Sequence, residues 1–179
     1  MTISKELITL ILRPYESKEH EFKGPMAWHG ADKKACCELV KDILAMANTK
    51  GGFIIIGVEE TGNGFIPSGL TSEQLTSFQP EEINRFIQRY AEPPINTTLS
   101  KVDHDGKSFV IINIPQFSNI PHICKINYPD VLTKPTLYVR TDNNESAPIA
   151  TTSDFHALIE SAIVKREQSL LTAIRSVLK

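Results

Sequence analysis

The feature that most restricts this chain is a long amphipathic helix that runs into two glycines and then straight into an apolar strand. From Asp32 onward, Ala35, Leu39, Ile43, Met46 and Ala47 recur at helical spacing, with Asp32 as the expected N-cap. Gly51 stands where a left-handed residue ends such a helix. GGFIIIGVEE follows at once, and its three consecutive isoleucines predict a strand buried on both faces, at the centre of a sheet. The glycine pair is read as a helix C-cap and a close approach of two backbones. A phosphate-binding P-loop requires the reverse order, strand before glycines before helix, so this motif does not predict nucleotide hydrolysis.

Other elements follow around that unit. Ser4 is the expected cap of a first helix carrying Leu7, Ile8, Ile11 and Leu12, which Pro14 ends. Glu19–Lys23 is compatible with a short strand, stopped by Gly24-Pro25. TGNG predicts a turn, Pro80 the start of a helix bearing Ile83, Phe86, Ile87 and Tyr90, and DHDGK a hairpin between 97–102 and 108–114. The Pro-rich stretch 115–135 is too long for a simple connection and reads as a functional-loop candidate. A strand over 137–141 and a final helix capped by Ser153 complete the pattern. Phe155, Leu158, Ile159 and Ile163 are expected to cover the sheet, and Leu170, Leu171, Ile174 and Leu178 to be surplus to that core. The order predicts an α+β fold, a mixed β-sheet with flanking helices in a single lobe. The expected division is a domain over 1–165 and a helical extension over 166–179.

At 179 residues, 41% hydrophobic and 22% charged, the chain has the composition of one soluble globular domain. A net charge of −2 excludes a coat of positive charge but not a local basic face. No apolar run is long enough to cross a membrane, and the N-terminus reads as an amphipathic helix rather than a signal peptide. Three cysteines, two of them adjacent, make a poor disulfide framework and point to a reducing, cytoplasmic compartment. His122-Ile123-Cys124 lacks the second ligand pair that zinc needs.

The chemistry-bearing residues cluster early, in ESKEHEFKG. On a strand, Glu21 and Lys23 share one face and Phe22 takes the other, which predicts Phe22 in the core and the acid and amine side by side at the surface. Glu16 lies at the entrance of this segment, and Glu59 and Glu60 at the exit of the IIIGVEE strand. Such acids are either a solvated edge or, if Glu16, Glu21 and Glu60 converge, a place that demands a cation or a proton. Glu19 is read as facing water. Asn48 and Thr49 either satisfy helix-end carbonyls or position the acidic loop.

ES…EFK, the helix ending DILAMANTKGG, then FIIIGVEE and later LYVRTDNNESAPIA together resemble the Schlafen-type, AlbA-like domain, from about Glu16 to Ile163. The resemblance implies a three-carboxylate site that cleaves structured RNA, notably transfer RNA, with Mg²⁺ or Mn²⁺. Carried over, the metal ligands are Glu16, Glu21 and Glu60, with Lys23 completing the catalytic set. Glu60 stands where the animal nucleases usually carry aspartate. Arg140 is followed by Thr141-Asp142-Asn143-Asn144 where the family has a Gly-Ser-containing loop. The animal nucleases close a groove with two lobes, so a single lobe implies a homodimer.

Lys125, Lys134 and Arg140 flank the candidate site or its long loop and are the expected backbone contacts to nucleic acid, RNA of transfer-RNA type first and DNA second. Trp28, Phe117 and Tyr128 are either stacking platforms or core residues. The leading reading is a metal-dependent endoribonuclease. Its alternatives are a non-catalytic DNA- or RNA-binding module of a regulatory or defence protein, and a protein-interaction domain.

Overall fold

The computed structural model describes residues 5–28 and 32–177, with the backbone alone at residues 5 and 6. The expected cap Ser4 and the apolar Leu178 lie outside the described residues. In chain order the elements are α1 (Lys5–Leu12), β1 (His20–Lys23), α2 (Lys33–Ala47), β2 (Gly52–Ile56), β3 (Val58–Thr61), β4 (Gly64–Pro67), α3 (Ser72–Ser77), α4 (Pro80–Tyr90), β5 (Ala91–Glu92), β6 (Thr98–His104), β7 (Lys107–Ile114), β8 (Ile123–Cys124), β9 (Tyr138–Arg140), β10 (Ser146–Pro148) and α5 (Thr152–Val177).

The fold is α+β, built on a four-stranded sheet in the order β1-β2-β7-β6. β1 runs parallel to β2, and the other pairs are antiparallel, so the sheet is mixed. The isoleucine run divides by its period of two. Ile54 and Ile56 join Val110 and Ile112 beneath α2 and α4, whereas Ile55 joins Phe22, Phe109 and Ile111 with Leu10 and Ile11 of α1. Both faces of β2 are therefore covered, as a central strand requires.

Local chemistry explains the joints. Asp32 accepts a hydrogen bond from the Ala35 N–H and caps α2. Gly51, at φ 71°, donates its N–H to Met46 and closes the helix. A Cβ on Gly52 would stand 2.0 Å from the Glu19 carbonyl oxygen, so only glycine lets β2 pass the start of β1. Asp105 and Gly106, both left-handed, form the two-residue turn between β6 and β7.

Several elements depart from expectation. The apolar run breaks at Gly57, and Val58–Thr61 leaves the sheet to form a hairpin with β4. α3 was not expected, although Thr71 and Gln74 form a reciprocal capping box. α5 is capped by Thr151, whose Oγ1 accepts from the Asp154 N–H, and not by Ser153. Of the four α5 residues expected to cover the sheet, only Leu158 is buried; Phe155, Ile159 and Ile163 are exposed. Among the described residues no helix is long and apolar enough to cross a membrane.

Candidate functional site

Pairing of β1 with β2 fixes where its side chains point. Glu21 lies beside Ile54 and Phe22 beside Ile55, so Phe22 enters the α1-side core. Glu21 and Lys23 lie instead on the face that α2 covers. They are not at the open surface: Glu21 is only 7% exposed. The overlying helix supplies Asp42, which is also buried and was missed in the sequence. Lys23 Nζ stands 2.8 Å from Glu21 Oε1 and 2.8 Å from Asp42 Oδ2. Burial alone would depress the Lys23 ammonium; Asp42 and Glu21 outweigh it and hold the group above its ordinary value. Lys23 is thus a fixed cation, charged across the physiological range.

The second oxygen of Glu21 belongs to Arg140. Arg140 Nη1 lies 2.8 Å from Glu21 Oε2, and the guanidinium is almost wholly buried. Nη1 also donates to Ser146 Oγ and Nη2 to the Ser17 carbonyl, while Nε–H is buried without an acceptor. The end of α2 places this arginine. Thr49 Oγ1 donates to the Ala45 carbonyl and accepts the Arg140 N–H at 2.9 Å. Asn48 donates to the carbonyls of His122 and Tyr138 and accepts the His122 N–H. The first reading holds, since Thr49 satisfies a helix-end carbonyl; beyond it, among the described residues, the side-chain partners of the pair lie on β9 and at His122, not on the acidic loop after β2. Arg140, expected to contact nucleic acid from the surface, is instead a buried partner of Glu21.

A pocket of about 410 Å³ opens on this network, lined by Glu16, Glu21, Lys41, Asp42, Arg140 and the 144–146 turn. Glu16 enters it from a loop held by Ser17, whose Oγ accepts the N–H groups of Glu19 and His20. Asn144, at a left-handed φ of 60°, donates Nδ2–H to the Glu16 carbonyl. The Glu16 carboxyl is held above its ordinary range by burial first, then by the charges of Glu21 and Glu60. Glu60, exposed on β3, therefore acts on the pocket through its field without lining it. Glu59 faces elsewhere and accepts from Ser68. The chemistry of the donor set, all carboxylate oxygen, suits a hard divalent cation. Among the described residues, however, no three acids, histidines or cysteines are gathered at ligating range, and both Glu21 oxygens already face cations.

The remaining candidates lie elsewhere. Lys125, just after β8, pairs with Glu92, and Lys134 is exposed on the following loop; neither lines the pocket. Trp28 and Phe117 are buried core residues, which rules them out as stacking platforms. Tyr128 is half-buried, with Lys33 Nζ 5.7 Å from its ring centroid.

With this geometry in hand, comparison with family models finds that the model described as "Schlafen, AlbA_2" matches residues 16–148 of the 179. The chain belongs to the Schlafen AlbA_2 family. The matched segment of this Schlafen AlbA_2 chain opens on Glu16 and contains every pocket-lining residue. Among solved structures, the DIP2311 protein from Corynebacterium diphtheriae is similar in fold, with a TM-score of 0.57 and 14% identity over 85% of this chain and 30% of that one. The present chain thus spans under a third of that protein. The N-terminal domain of a RecG-related protein from Nitrosomonas europaea gives a TM-score of 0.39 and 15% identity, over 72% of this chain and 92% of that one. Comparison with curated proteins gives no match.

Proposed function

We propose that this Schlafen AlbA_2 chain acts on nucleic acid as a metal-dependent endoribonuclease whose substrate is transfer RNA or a similarly folded RNA. The observation that carries the reading is the single pocket in which Glu16, Glu21 and Asp42 meet, with Glu21 fixed between Lys23 and Arg140. Crowding keeps Glu16 easy to protonate, and Mg²⁺ or Mn²⁺ would relieve that crowding. Glu16, Glu21 and Glu60 would hold the ion only once Glu60 swings from β3 into the pocket that it does not line here and Glu21 exchanges one of its basic partners. Such an ion supplies an activated water and neutralises charge on phosphoryl oxygens. Lys23 does not shuttle protons, because its two carboxylates keep it charged; it offsets negative charge.

The test is incubation with total transfer RNA in Mn²⁺, Mg²⁺ or EDTA, followed by mapping of the ends. Defined cuts with either metal and none in EDTA are expected; intact RNA under all three conditions would falsify the nuclease reading. A second reading, a non-catalytic RNA- or DNA-binding module, draws on the engagement of both Glu21 oxygens. Its signature is RNA or DNA that binds and is never cut.

A single lobe is narrow beside a folded RNA, and we propose a homodimer that sets two pockets across one groove. The three buried cysteines, none of them in a disulfide, accord with action in the cytoplasm.

A further inference from the structure

We infer that Lys41 is the residue through which the pocket grips a phosphate of its substrate, an inference that rests on the nucleic-acid reading above. The pocket is lined by four acids, Glu16, Glu21, Asp42 and Glu145, against two bases, Lys41 and Arg140. A polyanion cannot enter such a lining without a cation turned toward it. The obvious cations are unavailable. Arg140 is buried against Glu21, and Lys23 is clamped between Glu21 and Asp42. Farther out, Lys18 pairs with Asp142 and Lys50 with Glu19.

Lys41 differs from all of these. It sits on α2 one residue before Asp42, is half-buried, lines the pocket, and has no ion pair or hydrogen-bond partner for its ammonium among the described residues. Its four-carbon stem gives the charge reach, and its three N–H donors are free for phosphate oxygens. The helix that brings Asp42 to the buried network thereby brings the neighbouring lysine to the pocket. One residue on α2 completes the acidic network and the next faces the substrate.

The experiment is a binding titration of a fluorescently labelled transfer RNA over a series of salt concentrations, once with Mg²⁺ and once with EDTA. The wild-type chain is compared with Lys41→Ala, Lys41→Arg and Lys101→Ala, the last an exposed lysine on β6 outside the pocket. Lys41→Ala is expected to lose affinity several-fold and to lower the slope of log affinity against log salt by about one. Lys41→Arg should keep both, and Lys101→Ala should match wild type. Thermal unfolding of each variant checks that the fold is unchanged, as expected for a lysine without a partner. If wild type binds and Lys41→Ala shows the same affinity and slope, this inference is wrong and the nucleic-acid reading survives. If wild type binds no RNA under either condition, both are overturned.

Discussion

Glu21 and Glu16 line the same pocket, yet they bear on stability with opposite sign. Glu21 compensates the buried Arg140 and shares the half-buried Lys23 with Asp42, so Glu21→Gln leaves Arg140 short of charge and should lower stability by about 3 kcal/mol. Glu16 has no such partner, and its ionised form is opposed by burial and by Glu21 and Glu60. Its folded pKa lies above the unfolded 4.5, so the folded state binds the proton more tightly and stability falls as pH rises through that interval. Glu16→Gln should therefore be at least as stable as wild type at neutral pH, and the difference should shrink as the pH drops below the Glu16 value. Urea unfolding at several pH values checks both variants; a Glu21→Gln chain as stable as wild type would remove the buried network from the account. Glu16→Gln is consequently the cleaner probe of cleavage, since lost activity there cannot be ascribed to lost fold. The alternation in EFK revealed that Phe22 parts from Glu21 and Lys23. It could not reveal that the polar side is covered, because an edge strand looks open until the helix above it is placed. Asp42 was legible in principle: it falls on the stripe between Leu39 and Met46, an acid where the helix otherwise buries apolar groups.

Among the elements, α2, the glycine pair and β2 were the most readable, because a long apolar stripe, a left-handed stop and a doubly buried run each have a narrow physical meaning. The break at Gly57 was hidden because Gly57-Val58 continue the run with no polar residue before Glu59. What turns the chain there is contact with Phe109 and Gly69, to which a Cβ on Gly57 would come within 2.9 and 3.3 Å. β10 is three residues long, and among the described residues β9 is its only strand partner. So short a ladder carries too little pattern to be read locally. The sharpest test at this scale is Gly52→Ala. Its methyl would collide with the backbone of Glu19 at a positive φ, so either β1 shifts or the loop rebuilds, at a cost of about 2 kcal/mol or more. Gly62→Ala, with nothing within 4 Å, is the matched control and should stay within about 0.5 kcal/mol. Equal denaturation midpoints for the two variants would contradict the close-approach account.

For the molecule as a whole, α5 stands out. Phe155, Ile159, Ile163, Leu170, Leu171 and Ile174 are all exposed along it, more apolar surface than a single lobe normally leaves in water. Light scattering on the full chain should give a dimer at tens of micromolar, and a chain ending after Lys165 should give a monomer. Two monomers would leave the pocket to work within one lobe. The whole also shows why the site could be only half read: Glu16, Glu21 and Asp42 lie early in the chain, whereas the arginine that fixes Glu21 arrives with β9 and Glu145 with the turn after it.

That separation defines what can travel as a unit. Asn144 reaches back 128 residues to the Glu16 carbonyl, and Arg140 joins Glu21, Ser17 and Ser146 in one cluster. Any segment that keeps ESKEHEFK but stops before Arg140 leaves the buried Glu21 carboxylate with Lys23 alone, a cation that Asp42 already shares. The span over which the charges close therefore runs from Glu16 to Ser146, nearly the stretch 16–148 over which the family is matched. The hydrophobic core reaches further, back to Leu10 and Ile11 of α1, so charge closure and core do not share one N-terminal limit.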